Sequence, residues 1–240
     1  MIHRRIGTAD AWFSDRRFGT SRAPFDSANL GRHVGDDPDA VAANHAEFAR
    51  LAGVDPTTVV LPHHVHGTTV VQATGTDSDD PDADGVDADG VVTAVSGLAL
   101  MAIGADCAPI ALANDGACAA VHAGWRGAVD GIIPAAVAAV RACGAGPVRA
   151  VVGPCVCAAH YEFGEELLAD LADRVGPHVA QCTAEGKPAF DLRATIVHAL
   201  RAAAVDDVEV LDVCTVESPD YFSYRRDGRT GRHGVLVVKR

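Results

Sequence analysis

Between Gly90 and Val121 the chain carries a series of short apolar runs, Gly90–Ala94, Leu98–Ile103, and Ile110–Ala113 with Ala117–Val121. None alternates cleanly between apolar and polar residues, so each predicts a strand buried on both faces. Such strands need covering layers, and the flanking sequence offers helices. Asp37-Pro38 reads as an N-cap with proline at the first helical position, and Val41, His45, Phe48 and Ala52 follow at helical spacing up to Gly53. Further helices are predicted over Ala128–Ala142, with a possible kink at Pro134, over Glu162–Val175 and over Leu192–Ala204. The stretch up to Leu30 reads as strands and turns, and Val59–Leu61 and Val148–Val152 as strands. Val208–Val213 and Gly234–Val238 complete the sheet. Strands and helices thus alternate over 240 residues, with no repeat and no long linker. The expectation is one α/β domain over 1–240, a mixed α+β layered sandwich.

The formal charge of −12, from 20 basic and 32 acidic residues, argues against a general nucleic-acid binder. It leaves room for a small anionic substrate held by local arginines. No apolar run has the length of a membrane span and no signal-peptide stretch follows Met1, so the expected location is cytoplasmic. Seven cysteines, an odd and scattered set, read as reduced thiols. The Asp- and Gly-rich segment from Gly75 to Gly90 reads as a solvated acidic loop. Asp80–Gly85 resembles the first half of a calcium loop, but Val91 stands where the bidentate Glu is required.

Three strings carry chemistry: His64-Val65-His66-Gly67, Gly104-Ala105-Asp106-Cys107 and His122-Ala123-Gly124-Trp125-Arg126-Gly127. Each puts an imidazole or thiolate at the edge of an apolar run. On an extended segment His64 and His66 point the same way, so spacing does not choose between them. If the runs that end before Cys107 and before His122 are neighbouring strands, the two side chains emerge together. They could then act as metal ligands or as a nucleophile and its base. Two imidazoles and one thiolate leave a tetrahedral metal with one open position, as in catalytic zinc sites. Asp106 is a candidate for orienting a ligand or moving a proton. Arg126 and the pair Arg225 and Arg226, beside Tyr224, are candidates for phosphate and a planar base.

Together with Ala105–Pro109, Gly153-Pro154-Cys155, Tyr161-Glu162, Phe222–Arg226, Thr230-Gly231-Arg232 and the N-terminal Asn29-Leu30-Gly31 and Val34-Gly35-Asp36, these strings resemble the laccase-domain family. That family is also called multicopper polyphenol oxidase-like or purine nucleoside phosphorylase-like. His64 departs from it, since Gln is usual there, and so does His45, where Arg is usual. The resemblance implies a layered fold like that of the cytotoxic-necrotizing-factor cysteine hydrolases, and zinc held by His66, Cys107 and His122. It also implies phosphorolysis of adenosine, inosine and S-methyl-5′-thioadenosine with adenosine deaminase activity. The partners it implies are a purine nucleoside and phosphate, bound by a monomer or homodimer, with Asn29 among the substrate-binding residues. A multicopper laccase needs many His-x-His pairs and a His-Cys-His segment, and this chain has one His-x-His and no His-Cys-His. Copper remains chemically acceptable to two imidazoles and a thiolate. The rival readings are a metal-free thiol hydrolase or deamidase built on Cys107 and His122, and a non-catalytic metal-binding module.

Overall fold

A computed structural model describes residues 1–75 and 86–240, so the calcium-loop-like Asp80–Gly85 lies outside the described residues. The strands are β1 (Ile2–Ile6), β2 (Ala9–Phe13), β3 (Val59–Val60), β4 (Val70–Gln72), β5 (Gly90–Thr93), β6 (Ala99–Gly104), β7 (Ala108–Ala113), β8 (Cys118–Ala123), β9 (Arg149–Val152), β10 (Ala180–Cys182), β11 (Pro188–Phe190), β12 (Asp207–Val210) and β13 (His233–Lys239). The helices are α1 (Pro38–Leu51), α2 (Trp125–Asp130), α3 (Ile132–Cys143), α4 (Glu165–Val175), α5 (Leu192–Ala202) and α6 (Tyr224–Asp227). Among the described residues, no helix is long and apolar enough to cross a membrane.

The fold is mixed α/β, but its strands form two large sheets where the sequence predicted one. One sheet has the order β1-β2-β13-β6-β3 and the other β12-β9-β7-β8-β5-β4. The two strands expected to finish one sheet therefore part company, β12 on an edge and β13 between β2 and β6. The sheets pack face to face through Phe13, Leu100, Ala102, Val235 and Val237 of one and Ala111, Ala113, Ala120 and Val151 of the other. Alternate residues of the same strands face outward onto helices. Ile110, Leu112 and Val121 meet Ile133, Val137 and Val140 of α3 and Ile196 and Leu200 of α5. Ala99, Met101 and Ile103 meet Phe48 and Ala49 of α1 and its C-cap Ala52. Both faces of the central strands are thus dry, which is why their sequences do not alternate.

α1 starts as expected, with the Asp37 side chain accepting from the Asp39 N–H and proline in the first turn. The helix predicted over Ala128–Ala142 is instead two. Gly131, at φ +110°, ends α2 and opens α3. Pro134 then falls in the first turn of α3, where its missing N–H costs nothing. The helix predicted from Glu162 starts at Glu165, because Phe163 N–H is bonded to the Pro188 carbonyl.

Candidate metal centre

β7 and β8 are antiparallel neighbours with Pro109 opposite His122, so Cys107, just before β7, emerges beside the end of β8. His66 reaches the same place from the loop after β3. One donor atom from each of His66, Cys107 and His122 lies within 4.8 Å of the others, and Cys107 Sγ is 3.7 Å from His66 Nε2. The loop bearing His66 is not extended. His66 itself sits at φ +61°, which removes the alternation that made His64 its equal. His64 instead stacks parallel on His122 with ring centroids 4.6 Å apart, and its Nε2 is buried without a hydrogen-bond partner.

Asp89, fully buried, organises the centre, and the sequence reading missed it. Its Oδ1 accepts from the His66 N–H at 2.9 Å and from His122 Nδ1 at 2.8 Å, and its Oδ2 from the Gly67 N–H at 2.6 Å. Burial alone would raise the Asp89 carboxyl, but these donors outweigh it and hold it below the usual carboxylate range. With Nδ1 committed, His122 presents Nε2 to Cys107. Burial would push the Cys107 thiol up, but the charge of His122 and hydrogen bonds from His122 and His66 bring it down. His122 is raised in turn, against burial, by the thiolate and by Asp89. The pair is therefore a thiolate beside an imidazolium.

Two imidazoles and a thiolate suit zinc, and an imidazole whose second nitrogen is held by a carboxylate is a common metal-ligand arrangement. The glycines of His122–Gly127 make the space. A Cβ at Gly124 would come within 2.8 Å of His66 Cδ2 and 3.0 Å of Cys107 Sγ, and one at Gly127 within 2.8 Å of the Gly67 carbonyl. Donor chemistry and geometry thus fit a bound ion such as zinc or copper.

The three donors line a cavity of about 330 Å³ together with Arg126, Arg225, Arg232, Tyr161 and Tyr224. Arg225 lies over the Tyr161 ring at 4.5 Å, and Arg126 over Trp125 at 4.5 Å. Two expected substrate residues do not line the cavity. Arg226 spends its guanidinium on the carbonyls of Thr215, Val216, Ser218 and Tyr221 and on Asp227. Asn29 is buried, and its amide holds Gly31, Asp36 and the Arg232 N–H. Arg232, visible in the sequence only as part of Gly231-Arg232, lines the cavity, with its Nη1 on the carbonyls of Thr230 and Gly231. Asp106, at φ +87°, has both carboxylate oxygens engaged at 2.6 Å, by the Thr215 hydroxyl and the Arg225 N–H. It lines the cavity with both oxygens already committed.

Residues 10–240 match the family model described as multi-copper polyphenol oxidoreductase laccase. A purine nucleoside phosphorylase of Streptomyces coelicolor is 46% identical over 238 residues, covering 97% of each chain. Another from Corynebacterium glutamicum is 38% identical, covering 94% of this chain and 92% of its own. The crystal structure of YlmD from Geobacillus stearothermophilus superposes with a TM-score of 0.88 at 30% identity, over 97% of this chain and 92% of that one. Protein NMB0706 of Neisseria meningitidis gives 0.87 at 29% identity, over 99% and 98%.

Proposed function

Because the chain belongs to the multi-copper polyphenol oxidoreductase laccase family, we propose that it is a zinc-dependent purine nucleoside phosphorylase. In this reading it accepts adenosine, inosine and S-methyl-5′-thioadenosine and also deaminates adenosine. The observation that carries the reading is a two-imidazole, one-thiolate donor set opening into a cavity walled by three arginines. The names of the relatives agree with it.

His66, Cys107 and His122 would hold the ion, which when bound supplies Lewis acidity. Asp89 keeps the proton on His122 Nδ1, so that Nε2, once its own proton has left, would offer its lone pair to the ion. In phosphorolysis a phosphate oxygen bonds to ribose C1′ as the C1′–N9 bond breaks, and the departing purine takes up a proton. Arg126, Arg225 and Arg232 would hold the phosphate against C1′, while the exposed Tyr224 ring offers a stacking face for the base. Deamination adds water at C6 and releases ammonia. In phosphorolysis Asp106 acts as a positioning residue, fixing Arg225 through its backbone.

Zinc-replete protein given adenosine and phosphate should release adenine with ribose 1-phosphate, and inosine, on chromatography. No turnover under those conditions refutes the reading. The thiolate–imidazolium pair favours one second reading, a metal-free thiol hydrolase. That enzyme would keep its activity after exhaustive chelation and lose it to iodoacetamide.

A further inference from the structure

Among the described residues, a second set of metal-donor side chains gathers away from the residues that line the cavity. Cys157 stands at the N-cap and His160 at the end of a single 3₁₀ turn, Ala158–His160. Three residues per turn place positions three apart on one side, so the thiol and the imidazole face the same way. Glu217 comes from the loop that follows Cys214, a free cysteine whose backbone forms an isolated parallel β-bridge with that of Cys155. His160 Nε2 is 3.1 Å from Glu217 Oε1, and the Cys157 thiol donates to the same oxygen at 3.7 Å. The three donors all lie within 4.8 Å of one another. Behind them the buried Cys214 Sγ accepts the Cys157 N–H at 3.3 Å.

We propose that Cys157, His160 and Glu217 form a second metal site, taking a borderline-soft divalent cation such as zinc and tying the loop after β9 to the loop at 214–217. The donor chemistry selects the ion. Calcium and magnesium take oxygen shells, whereas thiolate, imidazole and carboxylate together suit zinc. On binding, the Cys157 proton leaves to solvent and the ion takes its place between sulfur and carboxylate, so one proton is released per ion from this thiol. With three protein donors, a water completes a tetrahedron.

The site has a purpose in the fold. Thr215, two residues before Glu217, donates its hydroxyl to Asp106. Arg226 grips the carbonyls of Thr215 and Val216, and Arg225, next to it, reaches the cavity. An ion on Glu217 therefore clamps the segment on which the arginine wall of the cavity is mounted. Its role is structural, distinct from that of the ion on His66, Cys107 and His122.

The test is zinc stoichiometry of chelator-stripped, full-length protein by competition with a chromophoric chelator, a readout independent of activity. The native chain should bind two ions, and His66→Ala/His122→Ala should still bind one. Adding Cys157→Ser and His160→Ala to that variant should leave none. Cobalt in place of zinc should give the His66→Ala/His122→Ala protein a thiolate-to-metal charge-transfer band that Cys157→Ser removes. If the multiple variants fail to fold, Glu217→Gln at an exposed position should weaken one of two ions by about tenfold or more and spare the other. A His66→Ala/His122→Ala protein that folds and binds no ion, or a Glu217→Gln protein that binds both unchanged, overturns the proposal, whereas a native chain whose one ion survives in His66→Ala/His122→Ala supports it and counts against the first site. A Cys157–Cys214 disulfide found by mass spectrometry in the freshly purified protein also overturns the proposal.

Discussion

Replacing Asp89 by Asn probes the centre of the site with almost no change in shape. The carboxylate serves four donors, the N–H groups of His66, Gly67 and, at 3.3 Å, Val65, and the Nδ1 of His122. An amide has one acceptor oxygen. If it faces His66 and His122, the Gly67 and Val65 N–H groups point at an NH2. If it faces Gly67, the His66 N–H is orphaned and His122 must take its other tautomer, placing a proton on the nitrogen that meets Cys107. Each buried donor left unpaired costs about 1–3 kcal/mol, so the chelator-stripped Asp89→Asn protein should lose roughly 2–4 kcal/mol of unfolding free energy. Removal of such an outer partner of a ligating histidine typically weakens metal binding by about 10–100-fold. Urea unfolding of the stripped protein measures the first quantity, and competition with a chromophoric chelator the second. Asp87, on the same loop but exposed, is the control, and Asp87→Asn should change stability by less than about 0.5 kcal/mol. An Asp89→Asn protein equal to that control in both measurements refutes the reasoning.

Gly124→Ala has a permissible backbone, φ −82° and ψ 171°, yet its methyl would meet His66 and Cys107. Zinc affinity should fall on the order of tenfold with circular dichroism unchanged, and unaltered affinity would count against the crowding argument. Half-buried His45 bonds to the Leu30 carbonyl at 2.7 Å, and desolvation of its ring, partly offset by that bond, pushes it from 6.5 down to about 4. Below pH 6.5 the unfolded chain takes up a proton that the folded chain refuses. Stability should therefore drop as pH falls from 6.5 to 4, by about 3 kcal/mol from this residue, and His45→Gln should flatten that part of the urea-midpoint profile. Arg225→Ala should raise KM for phosphate and leave the nucleoside KM nearly unchanged. Arg226→Ala should instead lower unfolding free energy by about 2 kcal/mol or more with little effect on either KM. The reverse pattern would return Arg226 to the cavity.

The central strands were readable because burial on both faces leaves a compositional mark, but the run before Cys107, β6, lies in the other sheet from β8, and Cys107 meets His122 through the β7–β8 pair that begins just after it. The division into two sheets left no such mark, since Ala111 faces the other sheet and Ile110 faces a helix within one apolar run. Asp89 was hidden for a different reason. It ends an Asp- and Gly-rich segment whose composition is that of a wet loop, and only the adjoining Gly90–Ala94 run hints that it goes inside. Clustered arginines in sequence do not reveal which guanidiniums turn toward carbonyls. Arg226 turns away from the cavity, while Arg232 lines it even though its Nη1 donates to the Thr230 and Gly231 carbonyls. His66 could be separated from His64 by resemblance, whereas the physical reason, a left-handed residue in the loop, becomes visible only in three dimensions.

The position of β13 bears on when the site can come into being. Its partners β2 and β6 are made early, but they are not bonded to each other, so the sheet stays open along its middle until the C-terminal strand arrives. Once there, His233 pairs with Gly104, at the base of the turn that presents Cys107. The β7–β8 pairing that sets Cys107 beside His122 lies in the other sheet and does not wait for β13. The donors can therefore meet early, and what β13 adds late is the fixing of the turn beneath the thiol, as the open sheet closes against it.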